Sequence, residues 1–334
     1  MTELRGHVRL LDISHDLGDV ADLLESAFAE YLDDVGRRMV QDLRRYARWA
    51  PILGWWLPLI LGWMNQFISF VWEEEGRVVG HAMAMRSPLD GRRWQVANVA
   101  VAAPYRGRGI ARALMETLLS ALEDMGGDWV VLQVREDNPV ALHLYESLGF
   151  RTVCGEIHWE KGMALEEPPD SPLPPLPFPL HPRLRGGAVR ALVDRSFTPG
   201  GMWWWGARDF PRWERWGTRM ARWLRLVGEE YWGWGHEGRL FALFHLRFDR
   251  RRGMGHVVFR VDRAYWGLWE DVFVRWAEVR ARKQGLSRVR AITEMAHRAL
   301  EEALSRAGWT PRHRLLNMRR PMGGGALEYV RRDV

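Results

Sequence analysis

Residues 96–115 read Val-Ala-Asn-Val-Ala-Val-Ala-Ala-Pro-Tyr-Arg-Gly-Arg-Gly-Ile-Ala-Arg-Ala-Leu-Met: an apolar strand, a basic glycine turn, and the start of an apolar-periodic helix. A helix start presents unpaired backbone N–H groups and about half a positive charge, so a turn that delivers Arg106, Gly107, Arg108, Gly109, Ile110 and Ala111 onto it is built to wrap an anion. Glycine at 107 and 109 lets the main chain approach where a Cβ would collide or φ would be forbidden. The spacing fits neither the Walker loop, which needs Gly-Lys-Ser/Thr, nor the dinucleotide fingerprint, which needs a third glycine.

A second stretch, residues 130–150, repeats the plan: an apolar strand, an Asn-Pro break at Asn138, and a short helix closed by Gly149. Gly149 alone is an ordinary helix cap, and Tyr145 alone is an ordinary core aromatic. Taken in order, the two stretches resemble the acetyl-CoA-binding core of the GNAT acetyltransferase superfamily. Arg106, Gly109 and Ala111 match its Arg-x-x-Gly-x-Gly/Ala loop. Asn138, Ala141, Tyr145, Gly149 and Phe150 match its Asn-x-x-Ala-x-x-x-Tyr-x-x-x-Gly-Phe element.

The resemblance covers residues 6–162 and implies an α/β (α+β) fold with a mixed, mostly antiparallel sheet flanked by helices. It also implies roles. The backbone of Val99, Ala100 and Val101 lines the pantetheine arm and polarises the thioester carbonyl; residues 106–111 grip the pyrophosphate; Asn138 and Ala141 meet the pantetheine arm; Tyr145 donates a proton to the leaving thiolate. A phenol near pKa 10 stands close enough to a thiol near about 8.5 for that transfer.

The base is less legible. Residues 131–150 resemble most the ribosomal-protein N-terminal acetyltransferases, whose Leu-Glu-Val-Arg pattern carries a glutamate that acts on the amine. Here the position is Gln133, which cannot take a proton but can orient a water or an amine. Glu73, Glu74, Glu75 and Asp90 near turns, and His81 and His143, are the alternatives, each also readable as a surface charge or a structural histidine. Without a strong base the cheaper acceptor is an α-amine: deprotonating it at pH 7 costs about 1.1 kcal/mol, against about 4.6 kcal/mol for a lysine.

The element order then appears a second time. A proline-dense stretch at 168–182 is expected to be a polyproline spacer, too dense in proline for helix or sheet. Beyond it come helix 187–197, strands 240–248 and 256–261, helix 266–282, strand 287–293, helix 296–307 and strand 312–318. The division expected is a GNAT domain at 1–165, a linker at 166–184 and a second GNAT-like domain at 185–334. This second copy lacks the phosphate loop: residues 262–268 read Asp-Arg-Ala-Tyr-Trp-Gly-Leu.

At 334 residues the chain is long enough for two cores. Its single cysteine, Cys154, excludes an internal disulfide, and with no signal-peptide pattern a cytoplasmic protein is expected. No metal-ligand spacing is present and no metal is expected. The net charge is +6, and nearly all of the positive charge is arginine, lysine occurring only at Lys161 and Lys283. The arginines are spread through expected helices, and no nucleic-acid-binding signature accompanies them. Residues 50–72 carry no charge. Pro58 and Gly62 interrupt this run, so a membrane span, core packing, and an acceptor or interfacial surface all stay open. The reading is an acetyl-CoA-dependent N-acetyltransferase acting on a primary amine. A non-catalytic acyl-CoA sensor and an acyltransferase for a hydrophobic acceptor are the alternatives.

Overall fold

A computed structural model describes residues 6–29, 34–53, 67–87, 93–163, 177–179, 187–205, 227–237 and 239–323. The Trp-rich run at 54–66, Asp90, most of the proline-dense stretch and the tryptophans at 213 and 216 lie outside the described residues.

The chain forms two compact units, neither of them one continuous length of chain. The first comprises residues 1–133, 140–151 and 318–334; the second comprises 134–139 and 152–317.

In the first unit, β1 (His7–Leu10), β2 (Phe67–Glu74), β3 (Arg77–Arg86), β4 (Arg93–Val101) and β5 (Trp129–Arg135) lie in that order. Pairing is antiparallel up to β4, and β4–β5 is parallel. Glu75 and Gly76 form the hairpin between β2 and β3, with φ of 53° and 75°, the positive pair that a two-residue turn between twisted strands requires. Helix α1 (Leu17–Phe28) presents Val20, Leu23 and Leu24, which cluster with Val40, Val71 and Ala100. Helix α2 runs Asp34–Leu53 and takes in the first residues of the uncharged run.

Helix α3 (Ile110–Asp124) packs on β2, β3 and β4, burying Ile110, Leu114, Met115, Leu118, Leu119 and Leu122 at the 3–4 residue spacing of one helix face. Burial of each contributes about 2 kcal/mol. A Cβ on Gly80 would stand 2.9 Å from Ile110 Cγ2, so glycine there sets how closely the start of α3 sits on β3. Helix α4 (Pro139–Ser147) follows β5.

In the second unit the strand order is β6 (Arg151–Gly162), β11 (Arg288–Glu294), β10 (Met254–Val261), β9 (Arg239–Asp249), β8 (Val227–His236), β7 (Phe178–Pro179). All pairs are antiparallel except β10–β11. Ile157 and Trp159 of β6 join Phe244, Val257, Phe259, Ala291 and the buried faces of α7 (Glu270–Lys283) and α8 (Arg298–Arg306) in one core. Helices α5 (Gly187–Ser196) and α6 (Pro199–Trp205) come before β8. The final strand β12 (Thr310–Pro321) belongs to the second unit through Asn317 and to the first from Met318.

Two local expectations are corrected, and one strand was missed. Phe178 and Pro179 pair with Gly233 and Trp232, so the proline-dense stretch does contribute to a sheet, at the edge where a proline's missing N–H is tolerated. Strand β8 was not legible, since three glycines and two glutamates hide its alternation. Helix α7 begins at Glu270 rather than at 266, because residues 263–269 are spent in a turn.

Candidate active site

Strands β4 and β5 pair over only three positions, Arg93↔Trp129, Trp94↔Val130 and Gln95↔Val131. Both strands continue beyond Gln95 and Val131, so they separate into a wedge with Val99, Ala100 and Val101 along one arm and Gln133 on the other. A bulge opens the β4 arm: between the pairs Met83↔Ala97 and His81↔Ala100, Ala82 alone faces both Asn98 and Val99. Asn98 takes φ 55°, a left-handed value that asparagine tolerates better than most side chains.

At the end of β4 a short 3-10 turn, Ala103–Tyr105, leads into the glycine loop. Gly107 and Gly109 adopt φ of 77° and 84°, so both expected glycines are in the left-handed region, and Gly109 caps α3 from there. Among the described residues, none of the amides of residues 107–112 donates to a protein acceptor. Six N–H groups at a helix start are therefore free for an anion.

The two loop arginines are held back from this ring of amides. Arg106 Nε donates to the Val101 carbonyl at 3.0 Å. Arg108 lies over the Tyr105 ring and pairs with the buried Glu74 carboxylate at 3.2 Å. The unpaired donors in this turn are backbone amides, and Glu74 neutralises one of the two loop cations. Ile110 is buried and Ala111 half-buried at the first turn of α3.

Tyr145 is buried on α4, edge-on to Phe150 at 5.9 Å. Burial pushes its phenol up to about 12. Arg112 Nη2 donates to Ser147 Oγ at 2.6 Å, tying the first turn of α3 to the helix that carries Tyr145. Sequence reading missed both Arg112 and the Glu74 pairing, since neither belongs to a motif. Gln133 is exposed on β5, Asn138 is exposed in the turn after it with its amide on the Arg135 carbonyl, and Ala141 is half-buried in α4.

Of the base alternatives, Glu73 pairs with Arg9 and Glu74 with Arg108. His81 is sealed in the sheet, and burial lowers it to about 4. Cys154 is pushed up to about 12, chiefly by burial, which leaves it a poor nucleophile at neutral pH.

The second half repeats this geometry at a near-constant offset. Strands β4 and β10 end 160 residues apart (261 − 101), and α4 and α8 start 159 apart (298 − 139). Gly267 (φ 91°) stands for Gly107, Trp269 for Gly109, Glu270 for Ile110, His297 for Asn138 and Leu304 for Tyr145. Trp269 does not take the left-handed turn (φ −139°), since a Cβ makes that conformation costly.

The second loop is filled from within. Glu270 accepts from the Gly267 amide at 2.9 Å, from the Trp269 amide at 3.1 Å, and its Oε1 lies 2.8 Å from His297 Nε2. Desolvation raises the Glu270 carboxyl, but these hydrogen bonds outweigh it and hold the group below its ordinary value. Glu270→Ala leaves the buried His297 ring without this partner and releases the Gly267 and Trp269 amides at the surface of the loop, a loss of about 3 kcal/mol. Thermal unfolding should report it as a fall in Tm of roughly 6 to 12 °C for a unit of this size.

Residues 35–150 match the acetyltransferase (GNAT) family model. Over 86 residues the chain is 47% identical to the ribosomal protein bS18-alanine N-acetyltransferase of Escherichia coli strain K12, an alignment covering 26% of this chain and 56% of that enzyme. Over 124 residues it is 28% identical to N-alpha-acetyltransferase 30 of Schizosaccharomyces pombe, covering 36% of this chain and 78% of the relative. A GCN5-related N-acetyltransferase from Sphaerobacter thermophilus has the same fold over 97% of this chain and 98% of its own, with TM-score 0.60 at 15% identity. A tandem GNAT protein from the clavulanic acid biosynthesis pathway aligns over 95% and 99%, with TM-score 0.52 at 17% identity. The expected fold class, two GNAT-like copies each with a mixed sheet flanked by helices, agrees with both.

Proposed function

We propose that this chain, a member of the GNAT acetyltransferase family through residues 35–150, is an acetyl-CoA-dependent N-acetyltransferase with one working acyl-CoA site, in its first half. The observation that carries this reading is the ring of unpaired amides at residues 107–112, set beside a wedge between β4 and β5. The amides of residues 107–112 would hold the diphosphate, and the β4 backbone at Val99, Ala100 and Val101 would hydrogen-bond the acyl carbonyl. A neutral primary amine attacks that carbonyl directly, the C–S bond breaks as the tetrahedral intermediate collapses, Tyr145 protonates the departing thiolate, and the surplus proton on the amine nitrogen leaves to water, from which Tyr145 is reprotonated.

The acceptor we assign is an α-amine, at a peptide N-terminus or on a small amphipathic molecule. Its low proton affinity suits a site in which Gln133 stands where a carboxylate would act, and similarity to an enzyme named for a ribosomal-protein alanine supports a peptide. Gln133 also favours a second reading, acyl-CoA binding without transfer, because a carboxamide cannot carry the amine's proton away.

Calorimetric titration with acetyl-CoA, followed by a free-thiol assay over alanine-starting peptides, lysine side-chain peptides and small amines, separates the two. Stoichiometry near one with thiol release on α-amines is the expected result. Binding without release on any amine would favour the sensor reading, and the absence of binding would remove both.

A further inference from the structure

We propose that His81 is a positioning residue for acyl transfer: its neutral imidazole draws the Asn98 carbonyl back into the sheet and so holds the β4 bulge that sets the backbone of residues 99–101 for the acyl group. The proposal rests on the acetyltransferase reading above and adds to it a residue that no motif marks.

His81 sits at the middle of β3, 2% exposed, with Ser69 of β2 on one side and the bulge of β4 on the other. Its Nδ1 is 3.0 Å from the Asn98 carbonyl, and its Nε2 is 2.8 Å from Ser69 Oγ. A carbonyl oxygen only accepts, so Nδ1 carries the proton. In the neutral ring Nε2 then accepts from the Ser69 hydroxyl. Both polar atoms of a buried ring are thereby satisfied without any charge, and burial keeps the ring neutral far below physiological pH.

What this pair of bonds holds is unusual backbone. Asn98 is one of three non-glycine residues among those described with positive φ, and it occupies the position where one residue of β3 faces two of β4. The Asn98 amide group adds a 3.4 Å contact to Met83 Sδ. A left-handed residue inside a strand costs on the order of 1–3 kcal/mol and persists only where its surroundings over-determine it. Here the imidazole supplies that constraint, three residues beyond the last β4–β5 pair at Gln95 and immediately before Val99.

The test compares wild type, His81→Leu and His81→Asn. Leucine keeps the bulk without a donor, whereas an asparagine amide sits near the Nδ1 position and can still donate to the Asn98 carbonyl. His81→Leu should lose about 10²-fold in kcat, the scale of a small misplacement of reacting groups, with a much smaller rise in the acetyl-CoA Kd; His81→Asn should recover part of the loss. In parallel, 15N NMR of histidine-labelled wild type should find His81 neutral with the proton on Nδ1 at pH 6, where an exposed histidine is largely charged.

A His81→Leu enzyme with wild-type kcat overturns the proposal. So does a charged or Nε2–H imidazole in the wild-type spectrum, a measurement that needs no variant to fold. Wild type that releases no thiol with any acceptor would instead overturn the acetyltransferase reading, and the transfer role of His81 with it, whatever tautomer the spectrum shows.

Discussion

Gly109→Glu is expected to abolish acetyl-CoA binding, raising Kd by at least about 100-fold, or about 2.7 kcal/mol. Two effects add. Gly109 has φ 84°, and a side chain in the left-handed region costs on the order of 1–2 kcal/mol at that residue. The glutamate then brings a negative charge to the free amides of residues 107–112, where it competes with a diphosphate and repels it.

Nothing lies within 4 Å of a Cβ built on Gly109, so the substitution collides with no neighbour and the protein should fold. Gly109→Ala is the control that carries only the conformational cost, and it should retain measurable binding. Calorimetry at one fixed salt concentration reads both, since the affinity of an anion for an arginine-rich surface varies with ionic strength. Tight binding by Gly109→Glu would refute the assignment of the loop.

Tyr145→Phe should lower kcat by about 10²-fold, the lower range for a single general acid, while leaving the acetyl-CoA Kd and Tm near wild type. Among the described residues the Tyr145 hydroxyl has no hydrogen-bond partner, so its removal orphans nothing. The pH profile gives a second check. Because burial favours the neutral phenol and moves it up to about 12, the acid stays protonated through the whole assay range. An alkaline fall in kcat near pH 10 would mean a different group donates the proton; a profile flat to pH 10 in wild type, with the slow rate in Tyr145→Phe, fits the role assigned.

The phosphate turn was legible because its chemistry is local: two glycines needing positive φ, a helix start and an apolar strand lie within twenty consecutive residues. The hairpin at Glu75 and Gly76 was legible for the same reason. What the sequence hid was pairing at a distance. Nothing around Glu74 announces that it meets Arg108, and nothing around His81 announces the Asn98 carbonyl seventeen residues on.

Glu270 was hidden in another way. An acidic residue in the first turn of a helix is so commonly favoured by the helix dipole that it carries no signal. Only the coordinates show that it closes the loop in which it lies.

The two compact units share out the chain in a way that bears on how the protein is made. Met318 to Pro321 belong to the first unit, where the Met322 amide bonds the Asp128 carbonyl at 2.8 Å and Arg320 pairs with Glu123 at 3.5 Å. A nascent chain that has passed Phe150 already holds every motif of the acyl-CoA site, yet it still lacks these contacts. At about 5–20 residues per second, the ribosome needs on the order of ten to thirty seconds more to deliver them. During that interval the start of β5 and the last turn of α3 wait for partners encoded far downstream, a window in which a chaperone or a neighbouring nascent chain can take their place.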